Sequence, residues 1–202
     1  MIQNIHWLGH SGFKITGSKI VYIDPYQIDE TETADLILIT HEHYDHFSRK
    51  DMAKILGPET VVVIPASVAA SFPKQKSVKP GDVIEIEGIR IEAVPAYNPD
   101  KPFHPKSKQW VGYVVTLDGT RYYHAGDTDH IPEMKTINTD IALLPVGGTY
   151  TMSAEEAAEA VKDIHPKMAV PMHWGSVVGS LSDAQRFVEL CTSEVHIPEL
   201  ER

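Results

Sequence analysis

Between positions 41 and 46 the chain reads HEHYDH, which places His41, His43, Asp45 and His46 directly after the apolar run ADLILIT (34–40). A turn alone needs no imidazoles. In an extended turn, side chains at i and i+2 point the same way. His41 and His43 can then share one ion while Asp45 and His46 turn toward a second position. Asp127, after RYYHAG, and His173, after MAVPM, also follow apolar segments. Imidazole with carboxylate suits zinc, iron or manganese better than calcium or magnesium. Cys191 is the only cysteine, so a closed, cysteine-rich structural zinc site is disfavoured. Several histidines with aspartates on open loops suit a catalytic pair of metals.

Such ligands need a rigid platform, and loops fixed at the ends of buried strands supply one. Short β-rich segments at 2–8, 13–16 and 19–24 are separated by Gly- and Ser-containing turns, as in a meander. The runs at 34–40, 60–65, 140–146 and 168–172 are continuously apolar and predict strands buried on both faces. Segments 81–96 and 110–127 read as hairpins around Glu87-Gly88 and Asp118-Gly119. Ser48 predicts the start of a helix ending at Gly57, and residues 67–72 predict a short helix. Ser153 with Glu156 forms a capping box for a helix over 153–164, and 180–193 predicts another. Two sheets packed together with helices outside would use every segment. No linker, low-complexity stretch or short repeat interrupts the chain, so one domain over 1–202 is expected.

Composition narrows the function. Apolar content of 42% and charged content of 23% are those of an ordinary globular protein, and the net charge of −10 gives no general attraction to nucleic acid or an anionic membrane. The one local basic stretch is KPFHPKSK (101–108). A single cysteine, no signal-peptide pattern at the N-terminus and no run of ~18–20 apolar residues predict a soluble, cytoplasmic protein. The expected partner is a small-molecule substrate, with no nucleic acid and no membrane; a homo-oligomer is left open.

HEHYDH resembles the H-x-H-x-D-H signature of the metallo-β-lactamase superfamily. HAGDT (124–128) resembles its later G-D motif, VPMHWG (170–175) its final histidine, and YIDPY (22–26) its Asp-Pro stretch. HWLGHSGFKI (6–15) looks most like the branch holding L-ascorbate-6-phosphate lactonase and small uncharacterised metal-dependent hydrolases. The resemblance implies an α+β fold, a four-layer αββα sandwich with the site on one edge. It implies that His41 and His43 bind one metal with a third histidine, that Asp45, His46 and His173 bind a second, and that Asp127 bridges them. Two divalent metals are expected, zinc first, with manganese or iron as alternatives. The reaction implied is hydrolysis by a metal-bound hydroxide, with Asp45 orienting the nucleophile, on a small anionic lactone or phosphate ester. The aspartate bridge, where the best-known zinc β-lactamases use cysteine, weighs against an antibiotic hydrolase. The rivals are a phosphodiesterase acting on nucleic acid or nucleotides, and a non-catalytic or degenerate metal-binding protein.

One position departs from the pattern. Asn98, a poor ligand, stands where the third histidine usually follows its strand, and His104 is the nearest substitute, on a loop holding Pro99, Pro102 and Pro105. Either His104 completes the first site or Asn98 or water does. Lys101, Lys106 and Lys108 on that loop are expected to draw an anionic substrate inward. His10 is a candidate catalytic residue, through substrate or through a ligand. Asp24 is expected to hold the His41 loop through backbone N–H groups. His124 reads as a packed strand histidine, Tyr150 and Trp174 as pocket or core, and Cys191 as core. The Gly-rich GGTYTMS (147–153), entering a helix, is a weak anion-site signal.

Overall fold

The computed structural model describes residues 2–29 and 31–201. Its first half builds one sheet in chain order: β1 (Ile5–Gly9), β2 (Gly12–Thr16), β3 (Ile20–Ile23), β4 (Leu36–Leu38), β5 (Val61–Pro65) and β6 (Gln75–Val78). The β1–β2 and β2–β3 pairs are antiparallel; the rest are parallel. The second sheet repeats the plan with β7 (Val83–Ile86), β8 (Ile89–Pro95), β9 (Val111–Leu117), β10 (Thr120–His124), β11 (Ile141–Pro145), β12 (Met168–Met172) and β13 (Glu194–Val195). There β7 to β10 are antiparallel neighbours, and β10 to β13 are parallel.

The period of 2 decides which side chains meet. In the first sheet Val21, Ile23, Leu36, Leu38, Val61 and Val63 face inward and join the main core with Ile91, Tyr113, Val115 and Leu143 of the second sheet. Their neighbours Tyr22, Ile37, Val62 and Ile64 face outward and are covered by Met52 and Ile55. These two belong to α1 (Arg49–Ile55), which Ser48 caps by accepting the Asp51 N–H. On the far side α2 (Ala154–Ile164) and α3 (Leu181–Leu190) bury Ala157, Val161, Ala184 and Phe187. The order of layers is helix, sheet, sheet, helices: the expected αββα sandwich. Among the described residues no helix is long and apolar enough to cross a membrane.

Two elements differ from expectation. Residues 67–72 form a turn and loop rather than a helix. The Val68 N–H closes a turn onto Pro65 O, the Phe72 N–H that a helix would return to Val68 O is taken by Gln75 Oε1, and Pro73 follows. Cys191 is the half-buried C-cap of α3 rather than a core residue. The polar strand β6 and the two-residue β13 had no apolar signal to announce them.

The strand ends converge at one edge, and Gly112 of β9 sets how closely they approach. A Cβ there would lie 2.7 Å from the carbonyl oxygens of both His124 and Ala125. Both are backbone atoms, so a side chain must push the end of β10 aside. Gly112→Ala is expected to lower stability by about 1–3 kcal/mol, a fall in Tm of roughly 2–12 °C for a chain of this size. Thermal unfolding followed by circular dichroism checks it; an unchanged Tm would mean that the strand ends are free to separate.

Candidate metal centre

Asp24 follows β3 and is fully buried, in left-handed backbone (φ 47°). Its Oδ1 accepts the Thr40 N–H at 2.8 Å, as expected, and its Oδ2 accepts the Thr40 hydroxyl at 2.6 Å and His46 Nδ1–H at 2.8 Å. Because the hydroxyl proton of Thr40 is committed to Asp24, its oxygen accepts Nδ1–H of His41 at 2.9 Å. One carboxylate thus fixes two imidazoles with Nε2 pointing into the site, as a carboxylate commonly does for histidines that bind a metal through their other nitrogen.

His104, rather than Asn98, enters the site. Asn98 Oδ1 accepts both the backbone N–H (3.0 Å) and Nδ1–H (2.8 Å) of His104, and Asn98 Nδ2 donates to Tyr150 O at 3.1 Å. Asn98 is therefore a brace for His104. His104 is 1% exposed, and its Nε2 lies 3.2 Å from Asp127 Oδ2.

Asp127 stands at the centre. Its Oδ2 is 3.1 Å from His173 Nε2 and 3.9 Å from His41 Nε2, and its Oδ1 is 3.2 Å from His46 Nε2. Gly126 (φ 65°) makes the turn before it, and its N–H is accepted by Nδ1 of the packed His124, whose Nε2–H reaches Ser11 O. Possible ligand atoms fall into three sets, each within 4.8 Å: His41, His43, His104 and Asp127; His10, Asp45, His46 and His173; and Asp24, His41 and His46, in which the Asp24 oxygens are already engaged by Thr40 and His46. Nε2 of His41, His46 and His104 and Oδ1 of Asp127 are buried with no hydrogen-bond partner. Orphaned polar atoms aimed at one another are costly unless something sits among them. A divalent cation fits: His41, His104 and the Asp127 carboxylate have lone pairs to give, and His46 can offer one by releasing the ring proton that Asp127 otherwise favours. Trp110, unremarked in the sequence, packs 5.0 Å from the His41 ring and 4.9 Å from that of His43.

Of the two places expected for His10, against substrate or against a ligand, the geometry matches the second: it is buried away from the cavity, its Nε2 3.0 Å from Asp45 Oδ2 and its ring 4.1 Å from that of His173. Its carbonyl accepts the His173 N–H at 2.9 Å and Trp7 Nε1–H at 3.0 Å. Trp174 stacks on Trp7 at 4.6 Å and belongs to the core. His10 and His173 (φ 51° and 58°) are, like Asp24, in the left-handed region, which costs a non-glycine residue about 1–3 kcal/mol.

Burial, with neighbouring imidazoles, lowers His41 well below its ordinary value; burial lowers His10 to about 4 against the opposing Asp45 bond. Burial would raise Asp45, but the His10 hydrogen bond together with the nearby His46 and His10 charges outweighs it and brings the carboxyl to about 2. At neutral pH His10 is therefore neutral and donates Nε2–H to an ionised Asp45. Burial opposes charge on His46 too, yet Asp127 and Asp24 together hold it well above its ordinary value. Burial likewise opposes the charge on Asp127, and His173 and His46 outweigh it.

A cavity of about 420 Å³ opens above Asp45, His43, His104, Asp127 and His173, walled by Glu42, Tyr44, Phe103, Tyr150 and Val177. The three loop lysines do not face it as free charges. Lys101 binds Asp129 (2.5 Å) and Thr151 O (2.7 Å), Lys106 binds Glu133 (2.9 Å), and Lys108 binds Glu42 (2.8 Å). At the start of α2 the capping box uses the N–H groups of Ser153 and Glu156 internally.

The profile of the beta-lactamase superfamily domain matches residues 4–173. A UPF0173 metal-dependent hydrolase of Thermoplasma acidophilum is 36% identical over 98% of this chain and 96% of its own length. A solved structure from Parabacteroides distasonis, assigned as a metal-dependent hydrolase, superposes with a TM-score of 0.87 at 34% identity, covering 98% of this chain and 93% of that one. Igni18, a metallo hydrolase of Ignicoccus hospitalis, is 25% identical with a TM-score of 0.80, covering 98% and 95%.

If Asn98 and Asp24 orient ligands, their loss weakens metal without removing a donor. Asn98→Ala and Asp24→Asn are each expected to lower zinc affinity by about 10–100-fold, read by competition with a chromophoric chelator; unchanged affinity would show that the bracing is idle. Acid should also destabilise the metal-free protein. His10 and His41 are depressed in the fold, so between pH 6.5 and about 4 the unfolded chain takes up protons that the folded chain refuses. Stability falls as pH drops through that window. The raised His46 acts the other way: its contribution is complete below pH 6.5 and is lost as pH rises. The Tm of chelator-treated protein should therefore fall steadily from pH 6.5 to 4, and a flat profile would contradict the burial of these rings.

Proposed function

The chain belongs to the metallo-β-lactamase superfamily, among its small metal-dependent hydrolases, and from that premise we propose that it hydrolyses a small substrate with two divalent cations held at the sheet edge. The observation that carries this reading is the Asp127 carboxylate, set between two groups of inward-facing imidazole nitrogens. His41, His43 and His104 would hold one cation, Asp45, His46 and His173 the other, and Asp127 both. The donor set of histidine and aspartate without cysteine favours zinc, with manganese or iron also compatible. When bound, such cations polarise a carbonyl or phosphoryl oxygen and acidify water.

The chain's own residues do the rest. Asp45 faces the cavity, is ionised, and has one oxygen engaged by His10. Its carboxylate can accept a hydrogen bond from the attacking water and so orient it. His10 acts through Asp45 as a positioning residue. Between the two substrate classes expected from the sequence, a lactone or other carbonyl ester is favoured over a phosphate ester, because Lys101, Lys106 and Lys108 are each paired with a carboxylate. The net charge of −10 supports a small molecule over nucleic acid as partner.

Protein purified without added metal should carry two equivalents by mass spectrometry. Asp127→Ala should stay folded, lose metal, and lose hydrolysis of any lactone or ester that the wild type opens. Full activity in that variant would sink the two-cation reading.

A further inference from the structure

Resting on that hydrolase reading, we propose that the cavity selects a neutral carbonyl ester or lactone bearing a flat, aryl-sized apolar group, held against Phe103 and Tyr150 and facing Tyr44. The wall is unusual for a surface. Tyr44 is 66% and Phe103 41% exposed, and large apolar groups left open beside a polar floor mark a place where something docks. The Phe103 ring meets Tyr150 edge-on, at 4.8 Å and 90°, which leaves aromatic surface available to a third ring.

The wall is also built in advance. Phe103 precedes His104, so the loop that delivers a candidate ligand delivers the aromatic too. Asn98 Nδ2 on Tyr150 O and Lys101 Nζ on Thr151 O lace this loop to the one carrying Tyr150. Binding a flat group there orders little that is not already ordered, which is how preorganisation strengthens affinity. Lys101 serves the wall rather than the substrate. Among the described residues lining the cavity, Glu42 is the only charged side chain beyond the candidate ligands, and it is paired with Lys108. An anionic group on the substrate would meet no free cation among the described residues of this wall, hence a neutral substituent. In the reaction the acyl C–O bond breaks and the oxygen of water takes its place; one proton of water goes to the leaving oxygen and another is released as the new acid ionises.

The test uses metal-chelating probes that need no turnover. Benzohydroxamic and acetohydroxamic acids are titrated into zinc-loaded protein by calorimetry. The phenyl probe should bind about tenfold tighter, the size expected for burying one ring on an aromatic wall. The ratio should fall to about two or less in Phe103→Ala and in Tyr150→Ala, and persist in Tyr150→Phe, with zinc content unchanged throughout. 4-Carboxybenzohydroxamic acid should bind more weakly than the uncharged parent. Equal binding of the first two probes, a ratio that survives both alanine variants, or tighter binding of the carboxylate probe overturns the inference and leaves the hydrolase reading standing. Failure of both simple hydroxamates to bind zinc-loaded protein overturns the hydrolase reading itself, and the inference with it.

Discussion

A carboxylate with no access to water must be surrounded by donors, and that requirement at Asp24 organises the edge of both sheets. Its oxygens take the Thr40 N–H, the Thr40 hydroxyl and a His46 ring proton. The first two tie the end of β3 to the end of its parallel neighbour β4; the third reaches over HEHYDH to its last histidine. Because a hydroxyl has one proton, the bond from Thr40 to Asp24 also dictates which nitrogen His41 presents. A chain of three polar groups therefore converts a strand pairing into the orientation of two imidazoles. Leaving any member unpaired would cost a buried polar group about 1–3 kcal/mol, so the arrangement is held as a unit.

The same edge joins the sheets. Tyr113 donates to Ile39 O, the Val111 N–H to Thr40 O, His124 to Ser11 O, and the His173 N–H to His10 O. Each bond runs from the second sheet to the first, beside a candidate ligand. The core between the sheets is apolar and without direction; these bonds set how the two layers meet where the chemistry lies. Asp127 from one sheet can then face His41 and His46 from the other within about an ion's width, without a ligand reaching across open solvent.

Much of this was legible in the sequence because the signals were dense. Buried apolar strands leading into HEHYDH, HAGD and VPMH announced both the platform and its load, and the Ser153–Glu156 capping box appears as read. What stayed hidden depends on three-dimensional pairing. That Asn98 props His104 could not be inferred from residue types, since an amide six residues away can be ligand, brace or neither. Thr40 looked like the last residue of a strand, and Trp110 like the first of another. The lysines of 101–108 looked like a basic patch because their acidic partners, Asp129, Glu133 and Glu42, lie far along the chain or on a separate loop. Segment 67–72 looked helical because its composition is; only the hydrogen bonds of Val68 and Phe72 reveal the turn.

Three of the residues that build the centre, His10, Asp24 and His173, sit in left-handed backbone that only glycine adopts cheaply. Glycine would relieve the strain but would bring no imidazole or carboxylate, so the cost follows from needing a functional side chain at a sharp strand-end turn. Each is held by bonds that a relaxed conformation would break: Asp24 by Thr40 and His46, His173 by the His10 carbonyl, and His10 by Asp45 together with the Trp7 and His173 donors on its carbonyl. Strain of about 1–3 kcal/mol at each position can persist only on a frame with surplus stability, and the fully buried strands β5 and β11 on either side of the seam provide that frame. The result is a centre whose donors are aimed before any cation arrives, so that binding need not order the loops that carry them.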